Sequence, residues 1–259
     1  MNHSDYILHL ADNALVHGQR LAEWCGHGPV LEEDIAMANI SLDHIGQARM
    51  LYQHAASLMG DGVTEDKLAY FRNPEQFRNY VLLELPHTTA FAPSVKTERD
   101  YAVTTVRNFL YSSFMLLVWN ALQKSSDAQL AAIAAKSLKE VKYHVRHSTD
   151  WLIRLGDGTA ESHHRVQAGL EHIWSYTQEI YAQAAIEKAA CEAGVGIDTR
   201  SLQAAWNTSI DTVLTQATLK RPKDGGYVTH GKDGQHSEHL SYLLAEMQSV
   251  ARAHPEAVW

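Results

Sequence analysis

The feature that most constrains this chain is one long run with a helical period. Between Leu31 and Met59, apolar or small residues fall at Leu31, Ile35, Ala38, Leu42, Ile45, Tyr52, Ala56 and Met59, in steps of four and three interrupted only by Arg49. That spacing is the stripe of a helix that packs against other helices. At 1.5 Å per residue it predicts a helix roughly 40 Å long, stopped by Gly60-Asp61-Gly62. The preceding segment carries Leu10, Ala14, His17, Leu21 and Trp24 at the same spacing and ends in Gly26-His27-Gly28-Pro29. A third segment, 97–124, is rich in Phe109, Phe114, Leu116, Leu117, Val118 and Trp119. A fourth, 127–155, places Leu138, Val141, Val145, Leu152 and Leu155 on one stripe. It opens on Ser126-Asp127, a helix cap, and closes on Gly156-Asp157-Gly158. Further helices are expected at 163–193, 199–219 and 238–254.

No alternating β-branched run is bounded by turns, so a sheet has nowhere to form. The four long segments make two antiparallel hairpins. The stretch 61–96 between them serves as a crossover and carries a short helix near 74–85. Two hairpins joined by a crossover are the topology of the ferritin-like four-helix bundle. The expected fold is therefore all-α, a ferritin-like bundle with additional C-terminal helices in one domain, 1–259, whose evident long loop in the C-terminal half is 221–235.

Composition excludes several classes of function. Hydrophobic residues make up 45% and charged residues 20%, which is enough to bury a sizeable core. A formal net charge of −8 argues against a general nucleic-acid binder, which needs clustered Lys and Arg. No run approaches the roughly 18 apolar residues of a membrane span, and the polar, amphipathic start 1–12 lacks the pattern of a secretory signal. Cys25 and Cys191 lie far apart without a CxxC pair. A cytoplasmic, reduced protein is expected.

A bundle of this kind raises the question of a di-iron carboxylate site. Such a site takes a Glu from each of two helices and a Glu-x-x-His from each of the other two. On the second helix the matching frame is Asp43-His-Ile-Gly46, with Gly where His is needed; on the fourth it is Glu140-Val-Lys-Tyr143, with Tyr in that place. His44 and His144 stand at i+1 and i+4 from these carboxylates. The i+1 neighbour points about 100° away, which sets His44 apart from Asp43, whereas Glu140 and His144 are within reach of each other. The third helix has no Asp or Glu between Tyr101 and Gln123. Asp43, Lys142, Glu140 and His144 then read as a polar cluster satisfied by internal hydrogen bonds, with Lys142 directed elsewhere on its helix, or as surface positions.

Sixteen histidines invite other metal readings. His230, His236 and His239, with Glu238 between the last two, could form a site, or Ser237 and Glu238 could simply begin a helix. Glu161-Ser-His-His164 fits Glu-x-x-His literally but has no second copy. No P-loop, GxGxxG or GxSxG motif is present. Cys25, beside Trp24 and Gly26 at a helix end, reads as a small buried residue or as a reactive thiol.

Three stretches carry a family resemblance: QRLAEWCGHGPVLEEDIAMANISLDHIGQAR at 19–49, QLAAIAAKSLKEVKYHVRHSTDWLIRLGDGT at 129–159, and GKDGQHSEHLSYLLAEMQ at 231–248. The blocks beginning at Glu23-Trp24-Cys25 and at His236-Ser237-Glu238 are the most specific, and 87–100 departs from the pattern. The chain resembles the C subunits of bacterial phenylacetyl-CoA epoxidase complexes. The resemblance implies a ferritin-like subunit with no metal or cofactor of its own, paired as a scaffold with an A subunit that holds the di-iron centre. It further implies a reductase with flavin and an iron–sulfur cluster that delivers electrons from NADPH, a small assembly subunit, and O2-dependent epoxidation of the ring of phenylacetyl-CoA in aerobic phenylacetate degradation. The loss of both Glu-x-x-His motifs agrees with this independently. Alone, such a chain could form a homodimer. The tryptophans and tyrosines are candidates for the face that meets the partner, with core packing as their default role. The rival reading is a ferritin-like metal-dependent oxidase or hydrolase using Asp43, Glu140 and His144, or His230, His236 and His239; a third is a free-standing helical interaction protein.

Overall fold

Two long helical hairpins frame the molecule, and the computed structural model describes residues 3–89 and 99–257. The described residues form α1 (His3–Ala22), α2 (Leu31–Met59), α3 (Glu65–Tyr70), α4 (Val81–Glu84), α5 (Tyr101–Leu122), α6 (Ala128–Gly156), α7 (Ala160–Ile173), α8 (Gln178–Tyr181), α9 (Ala185–Glu192), α10 (Gln203–Gln216) and α11 (Glu238–Ala253). There is no strand among them, only an isolated bridge between His230 and Gln235. The fold is all-α, as the periodicity implies. α1 pairs with α2, α5 with α6, and α2 lies against α6 to join the hairpins into a bundle.

Local chemistry sets the helix ends. Asp127 caps α6 by accepting from Gln129 N and Leu130 N, both at 3.0 Å, and also meets His54 Nε2 at 2.7 Å. The turn between α1 and α2 is held by Asp34, whose carboxylate accepts from Gly28 N at 2.9 Å and Gly26 N at 3.1 Å. These amides hold its acid below the usual carboxylate range. At Gly18, a Cβ would meet His44 Cβ, Ile45 Cγ1 and Ser41 O, each at 3.2 Å. Glycine there lets α1 and α2 approach closely, and Ser41 Oγ donates to Gly18 O at 2.7 Å.

Several sequence expectations shift. The short helix expected near 74–85 is a 3-10 turn, Pro74–Gln76, followed by the single turn α4. The helix expected over 163–193 is broken into α7, a 3-10 turn at Trp174–Thr177, α8 and α9. Of the segment 97–124, residues 97 and 98 lie outside the described residues, as does most of the unfamiliar stretch 87–100.

The largest change concerns α2. The N-terminal half of its expected core stripe faces outward, with Leu31 72%, Leu42 63% and Ile35 53% exposed, whereas Tyr52 of the same stripe is buried. The buried side is instead Glu33, Met37, Ile40, Ser41, His44, Gln47, Ala48, Leu51, Tyr52 and Ala55. The helices of the C-terminal half cover α1 and α5, which are buried along nearly their whole length; α7 and α10 also pack on α6, while the outer side of the N-terminal half of α2 stays exposed.

Candidate functional site in the bundle interior

The four long helices each send a polar or aromatic side chain to one level of the bundle. His17 comes from α1, His44 from α2, Tyr111 from α5 and His144 from α6, and all are buried. The rings of His17 and His44 lie 4.8 Å apart, those of His44 and His144 4.9 Å, and those of His17 and Tyr111 5.0 Å. The row reaches the surface through His144, whose Nε2–H donates to Asp43 Oδ2 at 2.9 Å. One helical turn along α2, Gln47 Nε2 donates to Glu140 Oε2 at 2.8 Å. In the opposite direction, toward the start of α2, Glu33 accepts from His147 Nε2 at 2.9 Å and from the Tyr101 hydroxyl at 2.5 Å.

These positions correct the sequence frame by one residue on each helix. The inward pair on α2 is His44 and Gln47, not Asp43 and Gly46; the inward pair on α6 is Val141 and His144, not Glu140 and Tyr143. Gly46 faces open space and Tyr143 is 40% exposed. His44 and Asp43, set apart on helix geometry, nevertheless meet at the same residue, because His144 lies between them. Glu140 is in the expected polar cluster, but its partner is Gln47 rather than His144. Lys142 is exposed and directed elsewhere, as expected. Sequence reasoning passed over His17, Gln47 and Tyr111. The signal for Gln47 was present in its i, i+3 spacing from His44.

Within this row, burial disfavours the charged forms of His17 and His44 and pushes their pKa values well below the ordinary histidine value; at His17 the neighbouring Arg107 charge pushes the same way. Nδ1 of His17, His44 and His144 has no hydrogen-bond partner. The fold implies a di-iron centre, and the donor set at this level does not fit one. Two irons in such bundles are held largely by carboxylates, whereas this interior offers imidazoles, an amide and a phenol. Its nearest carboxylates, Asp43 and Glu140, lie at the rim, already bonded to His144 and Gln47. Among the described residues, no group of three or more His, Cys, Asp or Glu is placed to hold a metal ion.

The other sequence candidates have different environments. His236 is tied on both sides, Nδ1 to Glu84 Oε2 at 2.9 Å and Nε2 to Phe77 O at 3.0 Å. Burial opposes its charge, but these acceptors win and its pKa is raised. His230 is exposed and faces Asp233, and His239 is half-buried, so the trio does not converge. Ser237 stands at the start of α11 as expected, but its side chain makes no cap; its N–H donates to Glu84 Oε1 at 2.6 Å. Glu161 pairs with Arg165 at 2.7 Å. Cys25 is exposed rather than buried. A cleft of about 1010 Å³ lies between α2, α3 and α11, lined by Ile45, Arg49, Tyr70, Phe71 and Val250 among others.

Fold and interior together define an all-α protein of ferritin-like build whose bundle is filled with imidazole and amide groups. The chain belongs to the phenylacetic acid catabolic protein family, whose model matches residues 1–259. It is 42% identical over 254 residues to the C subunit of the 1,2-phenylacetyl-CoA epoxidase of Escherichia coli (strain K12), covering 98% of each chain.

Proposed function

We propose that this chain is the C subunit of a phenylacetyl-CoA epoxidase in aerobic phenylacetate degradation, a non-catalytic partner that binds and stabilises the di-iron subunit. The observation that carries the reading is the bundle interior, where His17, His44, Gln47 and His144 occupy the level at which a catalytic relative would need carboxylates. The similarity to the C subunit of an epoxidase over nearly the full chain supports it. In this reading iron resides in the companion A subunit, flavin and an iron–sulfur cluster reside in the reductase, and this chain contributes shape and surface. Among the described residues no helix is long and apolar enough to cross a membrane, which accords with an assembly in the cytoplasm.

The test is elemental analysis of the chain purified alone and reconstituted anaerobically with ferrous iron, paired with co-expression of the di-iron subunit. The expected result is substoichiometric iron in the isolated chain and a single complex with the di-iron subunit in size exclusion. Two irons per isolated chain would revive the oxidase reading, and separate species at micromolar concentration would remove the scaffold role.

A further inference from the structure

We propose that Tyr101 is a one-electron donor site, reached through Trp24, whose phenol passes its proton to Glu33 as the electron leaves. The four long helices meet at this end of the bundle. Trp24 follows α1, Glu33 lies in the first turn of α2, Tyr101 opens α5, and His147 and Trp151 lie one turn apart on α6. The Tyr101 ring stands edge-on to Trp24 at 5.5 Å between centres and edge-on to Trp151 at 5.8 Å, both within the contact range of aromatic pairs. Trp24 is buried, but the next residue in the chain, Cys25, is exposed, so the route has a surface end.

The three rings differ in what can take a proton from them. Oxidising a buried aromatic ring leaves a positive charge unless a proton departs with the electron, and such a charge is costly away from water. Tyr101 has an outlet: its hydroxyl donates to Glu33 Oε2 at 2.5 Å, and the same oxygen accepts from His147 Nε2 at 2.9 Å. The indole N–H of Trp24 has only the Thr104 hydroxyl at 3.0 Å and, more weakly, His87 Nδ1 at 3.4 Å, an atom that also takes the Arg107 guanidinium at 2.7 Å. Trp151 lies under the Arg154 guanidinium, 5.5 Å from its ring centre. A cation beside either indole opposes a positive charge on it, so the vacancy moves to Tyr101 and stops there. Burial, reinforced by the bond to Glu33 and its charge, raises the Tyr101 pKa above the ordinary tyrosine range. The phenol therefore keeps its proton until the electron is withdrawn. Packing alone would be met by a neutral acceptor for the hydroxyl; a carboxylate adds a place for the proton.

The step balances with an oxygen-derived one-electron oxidant such as a peroxyl radical. Tyr101 gives one electron, which reduces the peroxyl radical to its anion, and one proton, which converts the Glu33 carboxylate to the acid. A neutral phenoxyl radical remains. Such oxidants arise where O2 is activated, so beside a di-iron oxygenase the site would drain them before they damage the assembly. That role rests on the pairing proposed above; the donor site itself does not.

The experiment attaches a ruthenium polypyridyl photo-oxidant to Cys25 of the full chain carrying Cys191→Ser. Flash oxidation is followed by transient absorption and electron paramagnetic resonance in this parent and in Tyr101→Phe, Glu33→Gln and Trp24→Phe, each checked for helix content by circular dichroism. The parent should form a phenoxyl radical. Tyr101→Phe should lose it, and in Glu33→Gln and Trp24→Phe it should rise at least roughly tenfold more slowly, the first for want of a positioned proton acceptor. No phenoxyl in the parent, or one that survives Tyr101→Phe, overturns the site and leaves the scaffold reading standing. An unchanged rise in Glu33→Gln overturns the proton transfer, and in Trp24→Phe the route. In the unlabelled complex with the di-iron subunit, under O2 and reductant without substrate, Tyr101→Phe should inactivate sooner than wild type. Equal rates overturn the protective role alone, and failure of the wild-type chain to form the complex overturns the pairing.

Discussion

Asp12 has no exposed side-chain surface, yet its carboxylate gathers donors from three residues, one on α2 and two in the stretch between α3 and α4. It accepts from the Tyr52 hydroxyl at 2.6 Å, from Arg78 N at 2.8 Å, and from the Arg72 guanidinium, at 3.1 Å through Nη1 and again through Nη2. Removing one partner of a buried pair strands the other's charge, so Asp12→Ala should cost about 3–5 kcal/mol in urea unfolding. The histidines give stability a pH dependence of two opposite signs. His17 and His44 have folded pKa values below the unfolded value of 6.5, so the unfolded chain binds more protons and stability falls as pH drops below 6.5. His236, raised above 6.5 by Glu84 against the effect of burial, contributes fully below that pH and loses its contribution as pH climbs through its raised value. Thermal midpoints across pH 5 to 8 should show His44→Gln with a flatter acid limb and His236→Gln with a flatter alkaline one; parallel profiles would contradict both assignments. Little of the interior was legible residue by residue. A one-residue error in the frame rotates a helix position by 100°, which exchanged Asp43 for His44 and Tyr143 for His144 between rim and core.

For the four long helices, existence, length and pairing were legible at the next scale, because period and breakers carry that information: the stop at Gly60, the cap at Asp127 and the crossover between hairpins all fall where the sequence puts them, whereas the breaks within 163–193 were not. The orientation of α2 was not. Amphipathicity assigns the apolar side to the core, but the buried side of α2 mixes Glu33, Ser41, His44 and Gln47 with Met37, Ile40 and Leu51, and the apolar row of its N-terminal half is left in solvent. Periodicity cannot tell an intramolecular stripe from an intermolecular one, since both exclude water by the same physics. Two predictions belong here. Gly46→Ala should stabilise the isolated chain by about 0.5–1 kcal/mol, read as a raised denaturation midpoint at unchanged slope. Asp127→Ala should cost roughly 1 kcal/mol for the lost cap and more for the loss of the His54 contact, with the damage seen in hydrogen exchange at the start of α6.

For the whole molecule, two buried carboxylates tie the crossover to the C-terminal half. Glu84 accepts from Asn79 Nδ2 at 3.0 Å as well as from His236 and Ser237 N. Glu179 accepts from Val81 N and Lys232 N at 3.0 Å and from Thr229 Oγ1 at 2.6 Å. Lys232 in turn meets Glu187 Oε2 at 2.7 Å. The longest of these contacts span more than a hundred residues in sequence, and no local pattern announces them; their polar atoms are satisfied only once the two halves have met. Glu84→Ala should therefore release the region around α11 before the hairpins melt, seen as early proteolytic cleavage within 221–240 while most helix content persists. Intact digestion kinetics would assign the attachment to apolar packing instead.

The outward-facing leucines and isoleucine of α2 also bear on the life of the chain in the cell. A copy released from the ribosome without a companion carries an oily ridge that holdase chaperones and proteases recognise, so quality control would count this protein against its partner and remove the excess. Its half-life should then lengthen when the companion is co-expressed, and an unpaired surplus should be short-lived even though each molecule is fully folded.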